Sequence, residues 1–154
     1  MEASWGAAGT SRLVRPGARP ELDGYRESFY KPWVMSFRTQ LESVVDQVDG
    51  ALACTIMGLD GIAVETHQLP NAEELDLGGA WVEFANVLSQ LTQTAQRLKT
   101  GEVSEPSINS ERVITLIRLV SPEYFLALAL RPDGNWGKGR YLLRITAPKV
   151  RAEL

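Results

Sequence analysis

The segment carrying Leu77, Trp81, Phe84, Leu88, Leu91, Ala95 and Leu98 constrains this fold more than any other stretch of the chain. Those residues follow one another at alternating steps of four and three, with no proline among them, an unbroken heptad stripe. On a helix such a stripe stays on one face and suits a second helix crossing at a shallow angle. Glu83, Asn86, Ser89, Gln90, Thr92, Gln93, Gln96 and Arg97 fill the other positions, so the helix is amphipathic. Ala80, Val82, Ala85 and Val87 widen the apolar surface beyond a narrow seam. That width predicts a helix that packs on its own sheet through one flank and on a partner through the other. A single core-facing stripe in a monomer is the alternative, because heptads this short also arise by chance.

The elements around this helix follow from local signals. Ser36 is placed to cap a helix whose apolar residues are Phe37, Leu41, Val44, Val45 and Val48, and Gly50 sits where a left-handed backbone ends one. Residues 51–57 form an apolar run that suits a strand covered on both sides. Gly58, Leu59, Asp60 and Gly61 then supply a tight turn into a half-exposed return strand. Asp76 caps the heptad helix, which stops at Thr100 and Gly101. Residues 103–109 read as an edge strand, since Pro106 has no amide to give to a ladder. Residues 113–120 and 124–130 read as central strands. A last helix begins near Trp136 with Tyr141, Leu142 and Ile145 on one side, and Pro148 is expected to kink or end it.

Composition narrows the function classes. A net charge of −3 with no basic stripe gives no reason to expect a nucleic-acid partner. No apolar run approaches the roughly 20 residues that a membrane helix needs. Cys54 is the single cysteine and sits in an apolar run, which suits a buried residue in a reducing compartment, the cytoplasm. Residues 1–34 carry no apolar periodicity, and their Ala, Gly, Pro and Arg content predicts a disordered or loosely held tail. The scattered Trp5, Tyr25, Phe29, Tyr30 and Trp33 could alternatively form a partner-binding motif.

No catalytic constellation stands out. His67, the single histidine, reads as an exposed strand residue, and no Cys/His motif or four-ligand zinc spacing is evident. Residues 134–139 have glycines and a lysine but not the spacing of a phosphate loop. Glu73, Glu74 and Asp76 read as a solvated helix entrance rather than a metal site. These residues predict a protein without cofactor, metal or catalytic group, and not an enzyme.

The order helix, strand, strand, long helix, three strands, helix implies an α/β (α+β) fold, a five-stranded, mostly antiparallel sheet between helices. With the hairpin at residues 57–62, the heptad helix, the apolar strand pair and the glycine-bearing start of the last helix, residues 35–154 resemble the roadblock/dynein light chain 7 family. Within it the chain is most similar to small bacterial roadblock proteins of the Mgl polarity system, which work with a Ras-like GTPase. The resemblance implies a homodimer whose long helices pack antiparallel, with Leu77, Trp81, Phe84, Leu88, Leu91 and Ala95 at the seam. On that basis a glutamate at Leu88 is expected to give monomers. Strands over 103–109 could join the two sheets, although Pro106 departs from a sequence suited to pairing.

The implied role is a cytoplasmic adaptor, with a polar position also allowed. It would bind a sister roadblock protein, the GTPase or a polarity scaffold. The alternative is a GTPase-activating protein that repositions the GTPase's own groups, and a third class is a small-ligand sensor.

Overall fold

The structure, a computed structural model, describes residues 36–154. The expected tail over 1–34 lies outside the described residues. Helix α1 (Phe37–Gln47) leads into strands β1 (Ala51–Gly58) and β2 (Ala63–Gln68), a short 3₁₀ turn (Pro70–Ala72) and the long helix α2 (Leu77–Leu98). Strands β3 (Ser107–Asn109), β4 (Ile114–Leu119) and β5 (Tyr124–Leu130) precede helix α3 (Trp136–Glu153). The strands form one sheet in the order β2-β1-β5-β4-β3, and every neighbouring pair is antiparallel. This is the expected α-β-β-α-β-β-β-α architecture.

Local chemistry sets the turns. The Ser36 hydroxyl accepts from the Thr39 amide at 3.1 Å and caps α1. In the β1–β2 hairpin, Gly61 takes a φ of +87°, and the Asp60 carboxylate accepts from the Ile62 amide at 3.0 Å.

β1 and β5 lie at the centre because they are apolar on both faces; all of β1 and all of β5 beyond Tyr124 are buried. On one face Cys54, Ile56, Leu126, Leu128 and Leu130 meet Leu41, Val44 and Val45 of α1 and Leu142, Leu143 and Val150 of α3. On the other face Leu52, Met57, Phe125, Ala127 and Ala129 meet Leu77, Trp81, Ala85 and Leu88 of α2. β5 therefore turns leucines toward two helices, and Phe125 with the small Ala127 and Ala129 toward one, in the same cluster as the Trp81 indole. Gly139 lets α3 approach closely, since a Cβ there would stand 2.9 Å from Leu116 Cδ1 and 3.0 Å from Leu128 Cδ2.

Three expectations need correction. β3 is shorter than the 103–109 run, keeping only the residues after Pro106, although the Pro106 and Ser104 carbonyls still accept from the Ile117 and Leu119 amides at 3.0 Å. α3 continues through Pro148 to Glu153. That proline faces solvent, where water can take the freed carbonyl, and the buried Ala147 and Val150 hold the last turns on the sheet. Tyr141 and Ile145 are exposed, and the buried face of α3 is Leu142, Leu143, Thr146, Ala147 and Val150.

Candidate interaction surfaces

Helix α2 is capped as its sequence suggests. The Gly79 amide donates to Asp76 Oδ1 at 3.0 Å, and Lys99 closes the far end in a left-handed conformation with φ of 56°.

The heptad stripe does not remain on one face of this helix. A straight α-helix drifts by about 20° per heptad relative to a 3.5-residue repeat. Leu77, Phe84, Leu91 and Leu98 show that drift directly: Leu77 is buried, Phe84 is partly buried, Leu91 is 43% exposed and Leu98 is 67% exposed. Of the six expected seam residues, Leu77, Trp81 and Leu88 are taken by the protomer's own sheet, the last two at 1% exposure. Such side chains have no surface left to offer a second subunit, so a glutamate at Leu88 would disrupt the protomer itself instead of merely dissociating a dimer. Phe84, Leu91 and Ala95 remain partly or largely accessible. Val87, 49% exposed, joins Phe84, Leu91 and Leu98 on the outward flank, a membership that helical-wheel angles rather than heptad letters would have revealed.

A second apolar patch lies at the hairpin. Ile62, 68% exposed, and Val64 are exposed there, as is Val82 of α2, whose Cγ1 lies against Gly61. The outer edge of β2 is guarded. The Thr66 amide donates to Glu65 Oε1 at 2.9 Å, and the Thr66 carbonyl accepts from Arg38 of α1 at 2.7 Å. Arg38 and Glu65 also pair at 3.2 Å, so both backbone groups of Thr66 are occupied by side chains of the same fold.

The residues that could carry chemistry are placed against it. Cys54 and His67 stand directly opposite each other in the β1–β2 register. The thiol is fully buried, however, and burial pushes its pKa up to about 12, so no thiolate forms near neutrality. His67 is half-buried rather than exposed, with Nδ1 buried and unpartnered. Asp76 is spent as a cap while Glu73 and Glu74 are exposed. Among the described residues no group of three His, Cys, Asp or Glu side chains is arranged to hold a metal. No described helix is long and apolar enough to cross a membrane. Gly139 of the glycine-rich stretch serves close packing, and Asn135 Oδ1 accepts from the Lys138 amide at 3.1 Å to cap α3.

One charged constellation escaped sequence reasoning. Glu105, ahead of β3, accepts from Arg140 at 3.2 Å and Arg144 at 3.3 Å of α3, and pairs with Arg118 of β4 at 2.9 Å. Partial burial alone would raise its pKa; the Arg140 hydrogen bond and the Arg144 and Arg118 charges outweigh that and hold it below its ordinary value. The available signals were Arg118 interrupting an apolar strand and the four-residue step from Arg140 to Arg144.

No model of a known protein family matches this sequence, and no curated protein does. Solved structures do. The crystal structure of MglC from Myxococcus xanthus is 69% identical, over 78% of this chain and 100% of that one, with a TM-score of 0.57. A roadblock/LC7 domain from Streptomyces avermitilis, 13% identical, matches 77% of this chain and 98% of its own with a TM-score of 0.67. The gliding protein MglB from Thermus thermophilus, 14% identical, matches 77% and 93% with a TM-score of 0.67. The last two share the fold, and the first shares the sequence as well.

Proposed function

The chain belongs to the roadblock/LC7 family, with Mgl proteins among its relatives, and we propose that it is a homodimeric, non-enzymatic adaptor in a motility or cell-polarity system. Its partners would be a Ras-like small GTPase, a sister roadblock protein or a polarity scaffold. The observation that carries this reading is the outward flank of α2. Val87, Leu91 and Leu98, with Phe84 half-buried at the edge of the core, follow one another along one side of a helix whose other side is already committed to the sheet. An apolar row left in water on a well-anchored helix suits burial against its two-fold copy, where each residue meets a related one. The names of the relatives support the setting: one is a gliding protein, and the 69% identical one is MglC.

Adaptor function needs no reacting group. The buried, neutral Cys54 and the spent Asp76 are in keeping with that. The exposed Ile62, Val64 and Val82 would offer a second contact, away from the dimer seam.

Two measurements test the proposal. Light scattering should show a dimer for the parent and a folded monomer for Leu91→Glu, because two-fold symmetry would bring two carboxylates into one apolar seam. A dimeric Leu91→Glu protein would place the interface elsewhere. GTP hydrolysis by a cognate small GTPase should be unchanged when this protein is added. Acceleration by orders of magnitude would instead select the GTPase-activating reading.

A further inference from the structure

We propose that the groove bounded by the end of α2, residues 99–105, the end of β4 and the second half of α3 docks an acidic, partly apolar segment of a partner protein. This goes beyond the dimeric adaptor reading, since the groove uses none of Phe84, Val87 or Leu91, and Ala95 is the one expected seam residue in its lining.

The groove has a volume of about 810 Å³, and Ala95, Val103, Leu119, Pro122 and Pro148 supply its accessible apolar surface. Lys99, Arg118, Arg144 and Arg151 bring positive charge to it, and Glu102 is the only carboxylate in the lining among the described residues. That local sign opposes the chain's net charge of −3. A patch whose charge runs against the rest of the molecule focuses attraction on partners of the opposite sign.

Glu105 indicates which anion the site suits. It sits beside the groove and already holds Arg118, Arg140 and Arg144 at 2.9–3.3 Å. One carboxylate neutralises a single positive charge, so this cluster keeps a surplus of two. Arg118 and Arg144 are thereby fixed before any partner arrives, which lowers the ordering cost of binding. Glu105 is in effect a resident stand-in for a partner's aspartate or glutamate. A bare anion would leave Val103, Leu119 and Pro122 wet. A segment carrying both carboxylates and apolar side chains would satisfy rim and floor together.

The test uses the full chain and a fluorescein-labelled peptide of alternating Glu and Leu, with a Gln–Leu peptide as its neutral control. The Glu–Leu peptide should bind, and binding should weaken as salt is raised. Lys99→Glu combined with Arg151→Glu should cut affinity by about tenfold or more. Both residues are exposed, so the oligomeric state should not move, and the loss of two cations at the C-terminal ends of α2 and α3 should lower the melting temperature only slightly. Leu91→Glu should bind the peptide as the parent does, whatever its oligomeric state, which separates this site from the α2 seam. The proposal is overturned if the double variant binds as well as the parent, or if the Gln–Leu peptide binds equally. Displacement of the peptide by equimolar inorganic phosphate would overturn it in favour of a small-anion site. Absence of binding by the parent would overturn it outright.

Discussion

Among the described residues, the sheet face under α1 and α3 is closed by two helices, whereas the face under α2 is closed by one. Over the first face, residues of both helices complete a core in which Leu126, Leu128 and Leu130 are fully buried. Over the second, Leu77, Trp81, Ala85 and Leu88 seal the centre and the helix flanks are left over. On such a flank Val87, Leu91 and Leu98 stay exposed, at 49%, 43% and 67%. Two helices can shield each other's flanks, and a lone helix cannot. The thin layer is therefore where assembly is expected, and the thick layer is where stability resides.

The most severe way to test that contrast is to charge the thick face. Leu128 is fully buried in β5, opposite both Cys54 and Leu116 in the ladders. Leu128→Asp places a carboxylate among leucines with no partner, and the chain should fail to fold. Circular dichroism and thermal melting would show no cooperative transition; a normal melt would mean that the two-helix face is not the stabilising one.

A milder pair compares two leucines on one helix. Leu88→Ala removes a side chain that is 1% exposed and should lower stability by about 2–5 kcal/mol. Leu91→Ala, three residues on and 43% exposed, should cost under about 1 kcal/mol of protomer stability, because little of its surface leaves water within one subunit. Denaturant melts at low protein concentration, where dimers do not contribute, separate the two. Equal losses would mean that α2 lies on the sheet in a different rotation.

That pair also shows where the sequence was readable. Strands β1 and β5 were legible because a continuous apolar run bounded by turn residues has few other solutions, and the Ser36 and Asp76 caps fixed helix starts to the residue. The stripe itself was legible but its facing was not. Leu77 and Leu91 occupy the same heptad position, yet accumulated drift turns one into the core and the other toward solvent. Periodicity gives a row of residues; only the sheet's position says which end of the row it covers. Pro148 misled for a related reason, since its sequence context does not reveal that it lies on the solvent side of α3. The Glu105 cluster was hidden because its members come from the β3 approach, β4 and α3, and no spacing along the chain links them.

Glu105 gives the smallest and most pH-specific contrast, setting charge against packing on the two-helix face. Its carboxyl ties α3 to β4 by the Arg140 and Arg144 hydrogen bonds and the Arg118 pair. Because the folded pKa lies below the ordinary 4.5, the folded state releases this proton more readily than the unfolded chain does. The resulting stabilisation is fully present above the unfolded value of 4.5 and is lost as pH falls through the lower folded value. Glu105→Gln should therefore cost under about 1 kcal/mol at neutral pH, in keeping with a pair near the surface. The gap from the parent should close as the solution is acidified below 4.5, because the parent's own carboxyl is then neutral too. Parallel melts of parent and variant across that range decide the matter. A gap that stays constant with pH would mean that Glu105 contributes through shape and packing, and that the arginines around it are held by something other than its charge.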